Sequence, residues 1–142
     1  MISSRLSNPP MLAALAAAGH GSTVLITDGH YPAKTAVGRN AVTVHLNLEA
    51  GLPTVPAVLA AVLDTVAIER ATVIRPSADA TPCAVHDEVT QLLPNGMQLH
   101  LVDRFDFYDL ARGDDLALCV VTGDTRRFAN VLLTLGVLKN PV

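Results

Sequence analysis

The sequence has no tryptophan, only two cysteines and few aromatic residues among its 142 positions. Cys83 and Cys119 form no Cys-x-x-Cys pair, which argues against a disulfide framework or a structural zinc site, and both are expected to be reduced thiols in or near the core. Charged residues make up only 16% of the chain, and the basic ones are scattered apart from Arg126-Arg127. This pattern argues against nucleic acid as a partner.

Long apolar runs are also missing. The alanine-rich stretch 11–18 is too short to span a bilayer and lacks the order of a secretory signal, so we expect no membrane partner and a cytoplasmic location. The sequence contains no Walker loop, no Gly-x-Gly-x-x-Gly after the first predicted strand, no His-Glu-x-x-His and no Gly-x-Ser-x-Gly. Nucleotide-binding, zinc-protease and serine-hydrolase functions therefore lose their usual support.

Hydrophobic residues, in contrast, make up 50% of the chain. The length fits one domain, and no repeat, linker or shift in composition divides it, so residues 1–142 are expected to form a single unit. The apolar content exceeds what a small monomer needs. We therefore expect buried interfaces between subunits.

Short apolar segments alternate with helical patterns along the chain. Strands are predicted at 23–28, 41–46, 71–75, 97–102, 116–122 and 130–135. Helices are predicted from the Asn8-Pro9-Pro10 start to residue 18, and at 54–66, 82–93 and 103–111. The alternation predicts an α/β fold in which helices cover a mostly parallel six-stranded sheet.

Gly19-His20-Gly21 and Asp28-Gly29 flank the first predicted strand. His20 lies between glycines, where backbone can approach a ligand, and its imidazole can accept and return a proton near neutral pH. It could equally be a partner for the dipole of the preceding helix. Asp28 lies at the carboxyl end of the first predicted strand, where ligands bind to parallel sheets, although it could simply cap the next turn.

His30 and Tyr31 follow Asp28 and could line the same cleft, with the Tyr31 ring packing against a sugar or against another subunit. A metal site made of His20, Asp28 and His30 is chemically allowed, but its spacing matches no specific motif.

Two later segments supply further polar candidates. Arg104 follows the fourth predicted strand and offers several fixed donors to hydroxyls, or else it forms a surface ion pair with Asp103 or Asp106. Asn130 offers both a donor and an acceptor after the fifth strand. The residues around it, Gly123-Asp124 and Arg126-Arg127, could instead be an ordinary turn and a solvated pair.

These segments, in this order, resemble the fucose mutarotase and ribose pyranase family of small sugar isomerases. The matching stretches are Gly19-His20-Gly21, Thr27-Asp28-Gly29-His30-Tyr31-Pro32, Gly51-Leu52-Pro53, Asp103-Arg104-Phe105-Asp106-Phe107-Tyr108, and Ala129-Asn130-Val131-Leu132-Leu133 with Gly136-Val137. The resemblance implies a three-layer α/β/α fold, no metal or cofactor, and a small free monosaccharide as ligand. It also implies a homo-oligomer, often a decameric ring, with active sites where subunits meet.

Within the family, His30 and Arg104 resemble the fucose-type branch, whereas the ribose-type branch usually has a smaller residue and a histidine there. One residue departs from the pattern: Phe128 stands where the family commonly has tyrosine.

The resemblance implies a mutarotase that interconverts the α and β anomers of an L-fucose-like sugar. His20 is the expected catalytic residue for proton transfer, while Asp28, His30, Tyr31, Arg104 and the segment Phe128, Ala129 and Asn130 are expected to bind the sugar. The missing hydroxyl at Phe128 favours a second hypothesis, a sugar-binding accessory protein without turnover. A ribose-type pyranase and a structural oligomer with an unused pocket are further alternatives.

Overall fold

The computed structural model describes residues 1–140, so the last two residues of the predicted domain 1–142 lie outside the described range. The strands are β1 (Thr23–Thr27), β2 (Val42–His45), β3 (Ile68–Ile74), β4 (Leu99–Val102), β5 (Leu116–Val121) and β6 (Val131–Leu135). The helices are α1 (Pro9–Ala17), α2 (Val55–Leu63), α3 (Ala84–Leu92) and α4 (Arg104–Ala111), with a 3-10 turn at Ala78–Ala80.

The helices begin where the sequence supplies capping groups. The Asn8 side chain accepts a hydrogen bond from the Met11 N–H (3.1 Å), and the Thr54 hydroxyl accepts one from the Ala57 N–H (3.3 Å). Prolines follow both caps in the first helical turn, where a missing N–H costs nothing.

The six strands form one sheet in the order β2-β5-β1-β6-β3-β4. Neighbouring strands are parallel except for β6, which is antiparallel to both β1 and β3. The mostly parallel α/β fold predicted from the sequence is confirmed. The reversal of β6 follows from its connection: the nine residues 122–130 contain no helix and are too few for a parallel crossover.

This topology gives the sheet two distinct edges. The carboxyl ends of the five parallel strands and the amino end of β6 meet at what we call the upper edge. The amino ends of those strands and the carboxyl end of β6 meet at the lower edge, where the Gly21 N–H donates to the Leu135 carbonyl (3.0 Å).

Two hydrophobic cores cover the two faces of the sheet. Val24 and Ile26 of β1 pack on one face with α1, α2 and α3, whereas Leu25 packs on the other face with α4 and the segment 31–37. The alternation along β1 thus produces three layers. Cys119 is fully buried and Cys83 partly buried, both as free thiols, in agreement with the sequence prediction.

Several element ends differ from their predicted positions by a few residues. Strand β3 begins at Ile68 rather than at 71, because the polar residues Glu69 and Arg70 lie in an exposed part of the strand that still pairs with β6. Within residues 1–140, none of the helices has the length and apolar character needed to cross a membrane.

Candidate functional site

A cavity of about 510 Å³ opens at the upper edge of the sheet. Six of its lining residues were predicted as site residues: Asp28, His30, Tyr31, Arg104, Phe128 and Asn130. Five were not: Ile74, Arg75, Ser77, Tyr108 and Arg127. Arg75 directly follows the carboxyl end of β3, so the rule that identified Asp28 and Arg104 could also have found it.

Asp28 lies at the bottom of this cavity and is almost completely buried. Its Oδ1 accepts hydrogen bonds from the backbone N–H groups of His30 (2.9 Å) and Tyr31 (3.0 Å), which uses both lone pairs of that oxygen. Its Oδ2 accepts one from the Asn130 Nδ2 (3.1 Å) and keeps one lone pair for a ligand. The turn-capping and ligand-binding interpretations of Asp28 are therefore compatible.

Burial raises the pKa of Asp28 above its ordinary value of 3.8, although the hydrogen bonds from His30, Tyr31 and Asn130 partly oppose this increase. Desolvation penalises the charged form more than these donors favour it. A ligand hydroxyl that donates a hydrogen bond to the Asp28 carboxylate would favour the charged form and offset part of that penalty.

Asn130 directly precedes β6 and is the second anchor of the cavity. Its Oδ1 accepts a hydrogen bond from the Asp28 N–H (3.3 Å), while its Nδ2 donates to the Asp28 carboxylate. Because β1 and β6 are antiparallel neighbours, the end of one strand lies beside the start of the other. The two side chains therefore hold each other in position.

His30 and Tyr31 differ in their exposure. The His30 Nε2 donates to the Thr125 carbonyl (2.9 Å) at the surface. The Tyr31 hydroxyl donates to the Ala36 carbonyl (2.7 Å), and its ring packs edge-on against Phe107 and Tyr108. Tyr31 is thus mainly a core residue with one edge at the cavity.

Arg104 is the first residue of α4 and lies on the cavity wall. Its Nε donates to the Tyr108 hydroxyl (3.2 Å), and its guanidinium lies 5.5 Å from the ring centres of Phe105 and Tyr108. Within residues 1–140 it forms no ion pair, and Asp103 pairs instead with Arg75 (3.5 Å). The alternative of an Arg104 surface ion pair is therefore wrong.

Phe128 and Ala129 complete this side of the cavity. Phe128 has a φ of 63°, in the left-handed region that costs an L-residue roughly 1–2 kcal/mol. Its ring lines the cavity beside the Arg127 guanidinium, at 5.2 Å. Ala129 is buried in the larger core instead, so its side chain does not line the cavity.

His20 lies elsewhere, at the lower edge. Its Nε2 is 3.0 Å from a carboxylate oxygen of Glu69 on β3, and both side chains are about half exposed. Strand β1, about 17 Å long, separates His20 from Asp28. The sequence grouped His20 with Asp28, but a single chain does not bring the two side chains together. Because they are this far apart, His20, Asp28 and His30 of one chain cannot bind the same metal ion.

An ion-pair network beside the cavity was missed from the sequence. The buried Asp124 carboxylate accepts hydrogen bonds from the Val55 N–H (3.0 Å) and from the Arg126 guanidinium (2.8 and 3.0 Å). Arg126 also contacts Glu88 of α3 (2.6 Å). Burial alone would raise the pKa of Asp124, but the donors from Arg126 and Val55 outweigh it and lower the pKa. The interpretation of Arg126 as solvated is wrong.

Comparisons with known proteins agree with this architecture. Residues 1–138 match the RbsD / FucU transport protein family. The fold is also that of Bacillus subtilis RbsD in complex with D-ribose, with a TM-score of 0.81, 22% identity and coverage of 97% of this chain and 99% of the other. A fucose mutarotase from Streptococcus pneumoniae in complex with L-fucose aligns with a TM-score of 0.76 and 20% identity over 92% and 94% of the two chains.

Sequence relatives include both branches. A D-ribose pyranase from Streptomyces avermitilis is 37% identical over 92% of this chain and 93% of its own length. An L-fucose mutarotase from Haemophilus influenzae is 27% identical over 92% and 91%. The resemblance inferred from the motifs is confirmed, and the chain belongs to the RbsD/FucU family of sugar pyranases and mutarotases.

Proposed function

We propose that this protein interconverts the α and β anomers of a reducing monosaccharide, with an L-fucose-like sugar as the first candidate. The observation that carries the proposal is the convergence of Asp28, Arg104 and Asn130 in one cavity at the upper edge. These groups combine an acceptor, a cation with several donors, and an amide that does both. This combination suits the hydroxyls of a free sugar and needs no cofactor.

The sugar is held by complementary hydrogen bonds. The free lone pair on the Asp28 Oδ2 accepts one hydroxyl, and Arg104 donates to neighbouring oxygens. Phe128 and Ile74 give the cavity an apolar wall for the carbon skeleton. The anomeric carbon must then face a group that can transfer protons.

His20 is the candidate for that transfer. Its Nε2 faces the Glu69 carboxylate, so this nitrogen holds a proton and the lone pair on Nδ1 is free to accept another. The ring removes the anomeric hydroxyl proton and returns a proton to the ring oxygen. The sugar opens, the aldehyde turns, and the ring closes on the other face.

Because His20 and the cavity lie at opposite edges of one chain, a second copy must supply the histidine. Exposed apolar side chains are present at both edges, with Phe105 next to Arg104, and Val137 and Leu138 after β6. Packing the lower edge of one copy against the upper edge of the next would bury these residues and complete the site. A closed ring such as a decamer satisfies this head-to-tail geometry.

A ribose pyranase is the second candidate, favoured by the 37% identity to the Streptomyces avermitilis enzyme. Exchange between pyranose and furanose forms passes through the same open-chain aldehyde as exchange between anomers. The same proton transfers therefore serve both reactions, and only the fit of the sugar distinguishes them. His30 and Arg104, which resemble the fucose-type branch, favour L-fucose.

Saturation-transfer NMR on L-fucose, D-ribose and D-galactose tests the proposal. We expect the wild type to accelerate exchange of at least one sugar by roughly 10²- to 10⁴-fold, the range of general acid–base catalysis. His20→Ala should lose this acceleration. His45→Ala, which removes an exposed histidine on β2, is the matched control and should retain it.

Two results would contradict the enzymatic proposal. One is equal exchange with and without the wild-type protein for every sugar. The other is full activity of the His20→Ala variant. Calorimetric binding of a sugar without faster exchange would instead support the accessory binding protein, which the loss of the hydroxyl at Phe128 favours.

A further inference from the structure

The segment that carries Phe128 is held from outside the cavity. Arg126 contacts Glu88 (2.6 Å), Arg127 contacts Asp79 (2.9 Å), and the Phe128 carbonyl accepts a hydrogen bond from the His86 Nε2 (3.0 Å). All three partners lie in the stretch 79–88, which comprises the end of the 3-10 turn and the first half of α3. Three consecutive residues are thus attached to one neighbouring segment.

The contact from His86 differs from the other two. The other two are ion pairs between side chains that water screens: Arg127 and Asp79 are both more than 60% exposed, and Arg126 and Glu88 are 37% and 46% exposed. His86 is buried, at 8% exposure, so its hydrogen bond is protected from water and the Phe128 carbonyl depends on it. Among these three contacts, this one best fixes the backbone.

The protonation state of His86 follows from its surroundings. Burial lowers the pKa of His86 below 6.5, although the contact with the Phe128 carbonyl partly opposes this, so the ring is neutral at pH 7 and carries one N–H. A carbonyl can only accept, so that proton is on Nε2. The geometry therefore requires a single tautomer.

Phe128 needs such a restraint because of its backbone. It is the one non-glycine residue with positive φ in the described part of the chain. Without the His86 donor, the peptide after Phe128 can rotate toward an ordinary conformation. The Phe128 ring would then leave the cavity wall, and Asn130, two residues later, would shift against Asp28.

We infer that His86 is a positioning residue for the sugar site: its Nε2–H holds the Phe128 carbonyl, and thereby places the Phe128 ring and Asn130 for the sugar. His86 does not line the cavity itself. The inference rests on the proposed function for its ligand class, a monosaccharide. It adds a residue of α3 to a site otherwise built from strand ends and α4.

The experiment compares His86→Leu, which removes the donor, with His86→Gln, whose amide N–H can still reach the carbonyl. Thr90→Val is the matched control, because it removes the hydrogen bond from the Thr90 hydroxyl to the His86 carbonyl (2.8 Å) without touching Phe128. The dissociation constants for L-fucose and D-ribose are measured by calorimetry, and the exchange rate at saturating sugar by NMR.

We expect His86→Leu to weaken binding of the preferred sugar about tenfold, since one protected hydrogen bond is lost, with a smaller effect on the rate at saturation. His86→Gln should restore most of the affinity, and Thr90→Val should match the wild type. Unchanged affinity in a folded His86→Leu variant would overturn the inference.

A direct measurement covers the case in which His86→Leu does not fold. The ¹⁵N shifts of the His86 ring in the wild-type protein should show a protonated Nε2 and an unprotonated Nδ1. The opposite tautomer would overturn the inference. Binding without accelerated exchange in the wild type would contradict the mutarotase proposal alone, because the affinity comparison between variants does not require turnover.

Discussion

Asp28 combines two roles that usually compete. Its Oδ1 organises the backbone of the loop after β1, and its Oδ2 is shared between Asn130 and the open cavity. Holding a carboxylate in so buried a position has a cost, which is expressed in its raised pKa. The folded state binds the Asp28 proton more tightly than the unfolded chain does, so this residue favours folding at low pH and loses that contribution as the pH rises through its raised pKa.

This shift leads to a prediction about pH dependence. In the proposed mechanism the ionised form of Asp28 accepts a hydrogen bond from a sugar hydroxyl, so kcat/KM should fall on the acid side, with a midpoint above 3.8. Asp28→Asn removes the charged acceptor and should lower kcat/KM roughly 10- to 100-fold, as expected for a hydrogen bond to a charged group. Exchange rates measured by NMR as a function of pH test both statements.

The ¹³C shift of the Asp28 carboxyl group, followed in the same pH series, provides the control. Its midpoint in the free protein should coincide with the acid limb of kcat/KM. A carboxyl that titrates at or below 3.8, or an acid limb that persists unchanged in Asp28→Asn, would show that another group controls the activity.

At the scale of elements, one carboxylate joins three parts of the fold. Asp124, in the β5–β6 connection, accepts from the first N–H of α2 and from Arg126, which in turn reaches Glu88 on α3. The same connection continues into Phe128 and Asn130. The network therefore stabilises the fold and also supports the backbone beside the cavity.

Asp124→Asn should consequently destabilise the protein by about 2 kcal/mol, because it leaves Arg126 without its buried partner. The loss of stability is smaller than for a fully buried ion pair, since Arg126 is partly exposed. The pKa of Asp124 is lowered on folding, so its contribution is present above its ordinary value of 3.8 and is lost as the pH falls through the lower folded value. Urea unfolding of the wild type and the variant at pH 7 and pH 3, at equal protein concentrations, measures their free energies of unfolding. The difference between the two proteins should be smaller at pH 3.

Asp114→Asn is the matched control. Asp114 pairs with Arg39 (3.1 Å), and both side chains are more than 60% exposed, so its loss should change stability by less than about 0.5 kcal/mol. If the two variants were equally stable at pH 7, the Asp124 network would have no structural role.

The sequence alone predicted the six strands, the four helices and most of the cavity, because apolar periodicity and the carboxyl ends of strands are local signals. The direction of β6 was readable only from the short connection that precedes it. The contacts Val55–Asp124, Glu88–Arg126 and His86–Phe128 join residues 38 to 69 positions apart, and no local pattern indicates such pairs. His20 was placed with Asp28 because the two are close in sequence, although a strand between them carries them to opposite edges.

At the scale of the whole molecule, the separation of His20 from Asp28 indicates how copies of the chain would have to pack. The described chain shows a cavity at one edge and a histidine paired with a carboxylate at the other. If His20 transfers the protons as proposed, each isolated copy has an incomplete site at its upper edge and an unused His20 at its lower edge. Head-to-tail assembly satisfies both, and it requires contacts that close into a ring rather than extend into a fibre.

Mixed assemblies test this arrangement directly. His20→Ala should be nearly inactive and Asp28→Asn should keep at most about a tenth of the wild-type activity, because every site then lacks either its proton-transfer group or its charged acceptor. If one copy supplies His20 and its neighbour supplies Asp28, random co-assembly of equal amounts leaves about a quarter of the sites intact. Co-expression of the two variants with different affinity tags, followed by purification through both tags, yields mixed assemblies whose exchange activity can be measured. Each variant prepared alone with both tags is the control. If instead His20 acted in the cavity of its own chain, every site would carry one defect or the other, and the mixture would be no more active than the separate variants.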